Sequence, residues 1–167
     1  RWFNENWKPM IDSKPWHTAI NYYNNILKKY GHPNKATNGW QENRDLFASG
    51  QLGMMIDASV LSAKISDPKL SSVHDKVGFA FAPTAVTQKG AQWLWSWALA
   101  IPSSSKHAEE ATEFLLWATS KKYITSVIKD KGWLAVPPGT RYSTYQKEYL
   151  KHVPFADITL KAINHSD

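Results

Sequence analysis

Apolar residues between positions 16 and 30 recur three or four residues apart, so one side of this segment is apolar and the other is polar. This spacing predicts an amphipathic helix. Ser13 is placed to cap its first turn, and Gly31 is expected to end it. A second helix is predicted over residues 40–48, with Asn38 as its cap.

Three apolar runs predict strands, the first of them buried, because each is short or alternates along its length. They cover residues 52–56, 77–81 and 93–101. Capping and breaking residues, among them Ser105 and Ser120, predict helices elsewhere, over residues 59–66, 106–119, 120–131, 144–151 and 155–164. Because predicted strands alternate with predicted helices, the expected fold class is α/β.

Composition excludes several classes of protein. The chain has 167 residues, 43% of them hydrophobic, which suits one domain with a real core. No apolar run approaches the roughly 20 residues that span a bilayer. The absence of cysteine excludes disulfides, thiolate metal sites and a cysteine nucleophile. The net charge is +6, but the lysines are scattered and form no basic stripe, so no nucleic-acid partner is expected.

Patterns that would indicate catalysis or metal binding are weak. The six histidines have no metal-ligand spacing, and there is no glycine-rich phosphate loop. Ser103 and Lys106 match one motif of penicillin-interacting enzymes, but its companion motifs are missing and a helix cap at Ser105 explains the segment. We therefore expect no catalytic residue, no metal site and no cofactor.

Tryptophan is far more frequent than usual, with nine residues in the chain. Trp93, Trp95 and Trp97 alternate along a predicted strand, so their rings are expected on the same face. We call these three residues the tryptophan row. Adjacent indoles form a broad apolar surface on which the C–H faces of a sugar can pack. The alternative is that the three rings are core residues beneath helices.

Asp57 ends the predicted strand at residues 52–56. In open α/β sheets ligands lie beyond the carboxyl ends of strands, and a carboxylate there can accept two hydrogen bonds from the hydroxyls of a polyol. The alternative is that Asp57 caps the helix that begins near Ser59. The two roles are compatible.

Arg141 follows a stiff Pro137-Pro138-Gly139 segment, which would hold its side chain at low entropic cost. It is a candidate donor to sugar hydroxyls, or it pairs with an acidic residue of the same lobe. Trp133 is a candidate wall of the ligand pocket or an anchor for this loop.

Phe47, Gly50 and Met54 stand at the spacing F-x-x-G-x-x-x-M. On these residues the chain resembles the family 1 extracellular solute-binding proteins of ABC transporters. The runs at 77–83 and 93–102, followed by the helix at 108–118, have the order found in that family. Residues 93–102 and 133–145 are most similar to its sorbitol- and mannitol-binding members.

The resemblance implies one lobe of a two-lobe periplasmic-binding-protein fold of type II, with a central sheet flanked by helices. Residues 1–167 would form a single ligand-binding lobe, the C-terminal one, without the N-terminal lobe and the extreme C-terminus. Many members carry a tryptophan shortly after the strand aspartate, where this chain has Ser59, Val60 and Leu61. This departure counts against a maltodextrin ligand and leaves a polyol.

The resemblance also implies a role. The full-length protein would be periplasmic, or would be held outside the cell by a lipid anchor. Its two lobes would close around a sugar alcohol or monosaccharide, and the closed protein would deliver the ligand to the ABC permease subunits. No catalytic residue is implied. We expect the full-length protein to be a monomer, whereas the isolated lobe is expected to dimerise through its exposed cleft face.

Two other functions fit parts of the sequence. A carbohydrate-active enzyme with tryptophan subsites would need two facing carboxylates. A basic module for nucleic acid or an anionic surface would need its lysines and arginines on one side.

Overall fold

The computed structural model describes residues 2–85, 88, 90, 93–139 and 141–166. Two compact units make up the chain, Arg1–Asn43 and Arg44–Asp167. Their boundary falls inside a helix.

The first unit is built on helix α1, Lys14–Tyr30. Ser13 occupies the N-cap position without a side-chain hydrogen bond, and the Gly31 N–H donates to the carbonyl of Leu27, which ends the helix as predicted. An isolated antiparallel bridge joins Phe3 and Pro9 upstream of it. No residue of α1 is buried, although its sequence is amphipathic.

Helix α2 spans Trp40–Ala48 and has the predicted bounds. The predicted cap is wrong, because the Asn38 amide donates to Asn43 instead, at 3.3 Å. Glu42 reaches back from the third helical position and accepts the Gly39 N–H at 2.9 Å. This bond is the reciprocal half of a capping box. The side-chain hydrogen bond at the start of α2 thus comes from Glu42 inside the helix and not from Asn38.

The second unit contains five further helices in its described residues, with one 3₁₀ turn before the first of them and two between the third and the fourth. They are α3 Ser62–Ile65, α4 Ala108–Ala118, α5 Lys121–Lys131, α6 Lys147–His152 and α7 Ala156–His165. The predicted helices at 59–66, 106–119, 120–131, 144–151 and 155–164 are all present, with ends shifted by a few residues or with a 3₁₀ first turn.

Two predicted serine caps have different outcomes. The Ser120 hydroxyl accepts the Tyr123 N–H at 3.1 Å, so it caps α5 as predicted. Ser105 accepts the N–H of His107, and His107 itself is the N-cap of α4. Gly132 ends α5 at a φ of 87°, a conformation that costs glycine little.

The core of the second unit lies where α5, α6 and α7 meet the turn after α5. Tyr149 and Val153 are its most deeply buried large side chains. Phe79 packs on Phe155 at 5.7 Å between ring centroids, which brings the run at 77–81 onto this core. The buried members of the cluster are Ile124, Val136, Tyr149, Val153, Phe155 and Ala156.

An ion-pair triad links α2 with α3. The Asp45 carboxylate lies 2.7 Å from both Arg44 Nε and Lys64 Nζ. Hydrogen bonds from Arg44 and then from Lys64 lower the pKa of Asp45 to about 2. Half of the Asp45 side chain is exposed, so each pair contributes little to stability, about 0–1 kcal/mol.

The three predicted strands form no β-ladder among the described residues. Residues 52–56, 77–81 and 93–101 lie outside every helix and bridge, and none of them makes a backbone hydrogen bond to another described residue. A strand exists only when a neighbouring segment supplies its hydrogen-bond partners. The apolar runs are therefore present, but they are not paired with one another or with other residues that the structure describes.

None of the described helices combines the length and the apolar character that crossing a bilayer would require.

Candidate functional site

The three indoles of the tryptophan row are neighbours in sequence order, the first pair stacked and the second pair tilted. The ring centroids of Trp93 and Trp95 are 5.9 Å apart, and the two planes differ by 6°. Trp95 and Trp97 follow at 5.1 Å, with planes tilted by 46°. Residues two apart therefore project to the same side, as the alternation predicts. The result is one surface three rings long.

The rings of the row face solvent and do not lie beneath helices. Trp93 is 84% exposed, Trp95 59% and Trp97 85%. Within the 167-residue chain, none of the three rings is buried by other described residues. An exposed indole surface of this length can pack against the C–H groups of a carbohydrate and leave its hydroxyls to polar partners.

Asp57 is exposed and lies two residues before the start of the 3₁₀ turn Ser59–Leu61. Its Oδ1 accepts the N–H of Ala58 at 2.7 Å. Ala58, not Asp57, occupies the N-cap position, and no side chain caps this turn. A carboxylate has about four acceptor sites, so this bond leaves most of Asp57 free to accept from hydroxyl groups.

Trp133 is half-buried against the core of the second unit. Its ring is stacked on His152, with 5.1 Å between centroids and 10° between planes, and Tyr149 lies 6.4 Å away. These contacts tie Trp133 to the core beside the loop that follows α5.

Arg141 donates from Nη1 to the backbone carbonyl of Thr119 at 3.0 Å. Thr119 is the C-cap of α4, where a cation interacts favourably with the helix dipole. The partner is thus a carbonyl at a helix end and not the acidic side chain that the sequence suggested. Arginine carries five N–H donors, so this bond does not exhaust the side chain.

The loop before Arg141 is held by a contact that the sequence analysis missed. The Tyr145 hydroxyl accepts the Gly139 N–H at 3.0 Å, and its ring meets Tyr149 edge-on at 5.5 Å. Burial raises the pKa of Tyr145. Tyr145 lies before α6, at the end of the 3₁₀ turn Tyr142–Thr144, so no sequence spacing indicated this contact.

The predicted site residues fall into separate groups. The row is one group, and Trp133 belongs to the aromatic cluster around Tyr149. No hydrogen bond or ring contact between described residues joins the row to Asp57, Trp133 or Arg141.

Two open grooves lie away from these residues. One, of about 580 Å³, is in the first unit and is bordered by Phe3, Met10 and Trp16. The other, of about 430 Å³, is in the second unit between Asp45 and Leu70. Within the described ranges no group of three or more histidine, aspartate or glutamate residues is arranged to hold a metal ion.

Comparison with known protein families shows which family the chain belongs to. Residues 1–125 match the family described as bacterial extracellular solute-binding protein. The chain belongs to this family. The order of motifs at residues 47–59, 77–83 and 93–102 is thus explained by common ancestry.

Two relatives of this solute-binding chain have names that mention mannitol. A mannitol-binding protein of Pseudomonas aeruginosa is 47% identical over all 167 residues, which cover 38% of that protein. The crystal structure of an ABC transporter solute-binding protein from Agrobacterium vitis S4, with bound D-mannitol, is also 47% identical, with a TM-score of 0.92. There the match covers the whole of this chain and 40% of the other.

The chain therefore spans about two fifths of the length of these relatives. Its fold is that of the corresponding part of a solute-binding protein.

Proposed function

We propose that this chain is one lobe of the substrate-binding component of an ABC importer and that it binds a sugar alcohol, with mannitol as the first candidate. The proposal is carried by the solvent-exposed tryptophan row, together with one relative named as a mannitol-binding protein and another that was solved with bound D-mannitol. Residues 1–167 would form a single lobe, the C-terminal one, whose central sheet is completed by residues outside this chain.

The chemistry of a polyol suits the exposed groups. Each carbon of mannitol carries a C–H group and a hydroxyl, so one side of the extended molecule can lie on indole faces while its hydroxyls seek donors and acceptors. Asp57 supplies free acceptor sites and Arg141 supplies free donors. Trp133 would act indirectly, by fixing the loop that precedes Arg141.

In this proposal a second lobe closes over the ligand, and the closed protein delivers it to the permease subunits of the transporter. Binding would take place in the periplasm, or outside the cell on a lipid-anchored protein. The lobe carries out no reaction, since the proposed contacts bind and orient hydroxyl groups but activate none of them.

The function can be tested by calorimetry. Mannitol and sorbitol are titrated into the longer, two-lobe protein of which we propose this chain to be one lobe. Trp95 contacts both neighbouring rings of the row, so Trp95→Ala is expected to weaken mannitol binding about tenfold. Trp7→Ala is the matched control, because Trp7 is 80% exposed and lies outside the row. Its affinity should equal that of the unmodified protein.

Two outcomes count against different parts of the proposal. If the unmodified protein binds no polyol or monosaccharide, the function is wrong. If it binds mannitol, but Trp95→Ala and Asp57→Ala bind it equally well, the function stands and the surface is misplaced.

A further inference from the structure

The loop before α2 contains two neighbouring residues that can react with each other, Asn38 and Gly39. No other asparagine of the chain is followed by glycine. The side-chain amide of an asparagine lies within reach of the next backbone nitrogen, and a glycine there has no Cβ to keep that nitrogen away. Asparagine counts among the thermolabile residues of proteins, and this pair is where the chemistry is least hindered in this chain.

The reaction is a deamidation that passes through a ring. The Gly39 nitrogen loses its proton and attacks Cγ of Asn38, a new C–N bond forms, and the side-chain nitrogen leaves as ammonia. Water then opens the succinimide ring at either of its two carbonyls, which leaves aspartate or isoaspartate at position 38. The net change consumes a water molecule and releases ammonia, so no oxidant, reductant or further reactant is needed.

Both reacting groups are held by hydrogen bonds to the first turn of α2. The attacking nitrogen, that of Gly39, donates its N–H to Glu42 Oε2 at 2.9 Å. The leaving nitrogen, Asn38 Nδ2, donates to Asn43 Oδ1 at 3.3 Å. The Gly39 carbonyl also accepts the N–H of Asn43, at 3.1 Å. The helix therefore holds the nucleophile and the leaving group through two separate side chains.

Glu42 restrains the attack in two ways. The Gly39 N–H must give up its hydrogen bond before the nitrogen can turn toward Asn38. The carboxylate also disfavours the negative charge that develops on this nitrogen as its proton leaves. Carboxylates are weak bases, so Glu42 gives little help in removing the proton. The reaction thus requires the turn to open, as the ends of helices do by fraying.

We propose that Asn38 is a site of spontaneous deamidation and that the first turn of α2 sets its rate. The closed turn keeps the pair unreacted, and each opening exposes it. The product carries a carboxylate in place of the N–H that Asn43 Oδ1 accepts, so the turn loses that bond. Isoaspartate also lengthens the backbone directly before Gly39 and displaces its N–H from Glu42. This inference is independent of the proposed function.

Peptide mapping by mass spectrometry measures the reaction, since the acid and the amide differ in mass and isoaspartate separates from aspartate on chromatography. The 167-residue chain, its helices confirmed by circular dichroism, is incubated at mildly alkaline pH with and without denaturant. Asn38 should react at least about tenfold faster in denaturant. Asn34 is the internal control, because it is exposed in the same loop but precedes lysine, and it should react far more slowly than Asn38 in denaturant.

Two results of this first experiment would overturn the proposal. If Asn38 stays unmodified in denaturant, or reacts no faster there than Asn34, the site is wrong. If Asn38 reacts at one rate with and without denaturant, α2 does not control it.

Glu42→Ala separates the turn from the stability of the whole chain. It should speed the reaction at Asn38 about three- to tenfold in the folded chain, the effect of one lost hydrogen bond, and change it little in denaturant. Ser120→Ala is the matched control, because it removes a bond of the same kind from α5 in the second unit. It should leave the rate at Asn38 unchanged.

The outcomes of this second experiment are equally distinct. A slower reaction in Glu42→Ala would make the carboxylate a base and not a restraint, and an unchanged rate would mean that its hydrogen bond has no influence. Equal acceleration by Glu42→Ala and Ser120→Ala would show that the reaction follows unfolding of the whole chain. Each of these results contradicts control by the first turn of α2.

Discussion

Tyr149 shows how strongly one enclosed side chain responds to its surroundings. It is 2% exposed and lies between the rings of Trp133 and Tyr145. Burial, and secondarily the nearby Tyr145, raises the pKa of Tyr149 to about 12 from an ordinary value of 10.0. The folded state thus favours the neutral phenol. This contribution to stability is fully present below pH 10 and is lost as the pH rises toward 12.

Tyr149→Phe removes that titration. Unmodified protein should lose about 1–3 kcal/mol of unfolding free energy between pH 10 and pH 12 relative to the variant. Denaturant unfolding at a series of alkaline pH values measures the difference. Tyr22→Phe provides the control, since Tyr22 is 67% exposed and its removal should leave the alkaline slope unchanged. Parallel slopes for Tyr149→Phe and unmodified protein would show that this phenol does not resist ionisation.

At the scale of single elements, the helices were predictable because their signals are local. Ser120 and Gly132 begin and end α5 within a few residues of its apolar positions. The strands are different, because pairing requires a partner that no local signal provides. Residues 93–101 have the composition of a strand, yet the structure leaves them unpaired.

In the candidate site, too, features that depend on local sequence were predictable and contacts between distant positions were not. The one-sided stacking of Trp93, Trp95 and Trp97 follows from alternation alone, so it was predictable. The bond from Arg141 to Thr119 and the bond from Gly139 to Tyr145 join positions that only the fold brings together. Neither follows from spacing, and neither was predicted.

The N-terminus of α5 gives a test of capping on this chain. Ser120→Ala removes the hydroxyl that accepts the Tyr123 N–H and should cost about 0.5–2 kcal/mol of unfolding free energy. Ser120→Thr keeps an acceptor and should recover most of that loss.

Ser13→Ala is a second, negative control for the same test. Ser13 sits at the N-cap of α1 but makes no side-chain cap bond, so its replacement should cost much less. Thermal and denaturant melts compare the three variants. An equal loss for Ser13→Ala and Ser120→Ala would mean that N-cap serines act here through backbone preference and not through their hydroxyls.

At the scale of the whole molecule, the proposed ligand contacts sit on one lobe only. A polyol resting on the row would keep its other side in water until a second lobe covers it, so most of the binding free energy would be missing. We expect the 167-residue chain to bind mannitol about a hundredfold or more weaker than the longer protein. Calorimetry with both proteins measures this difference, and equal affinities would show that one lobe is sufficient.

The near-parallel indoles of Trp93 and Trp95, followed by the tilted ring of Trp97, have an optical consequence. Electronic transitions of chromophores this close mix, and the tilt between the second pair gives the mixed states a handedness. The chain should therefore carry its own circular-dichroism couplet. That signal would report on the spacing of these rings without any attached dye.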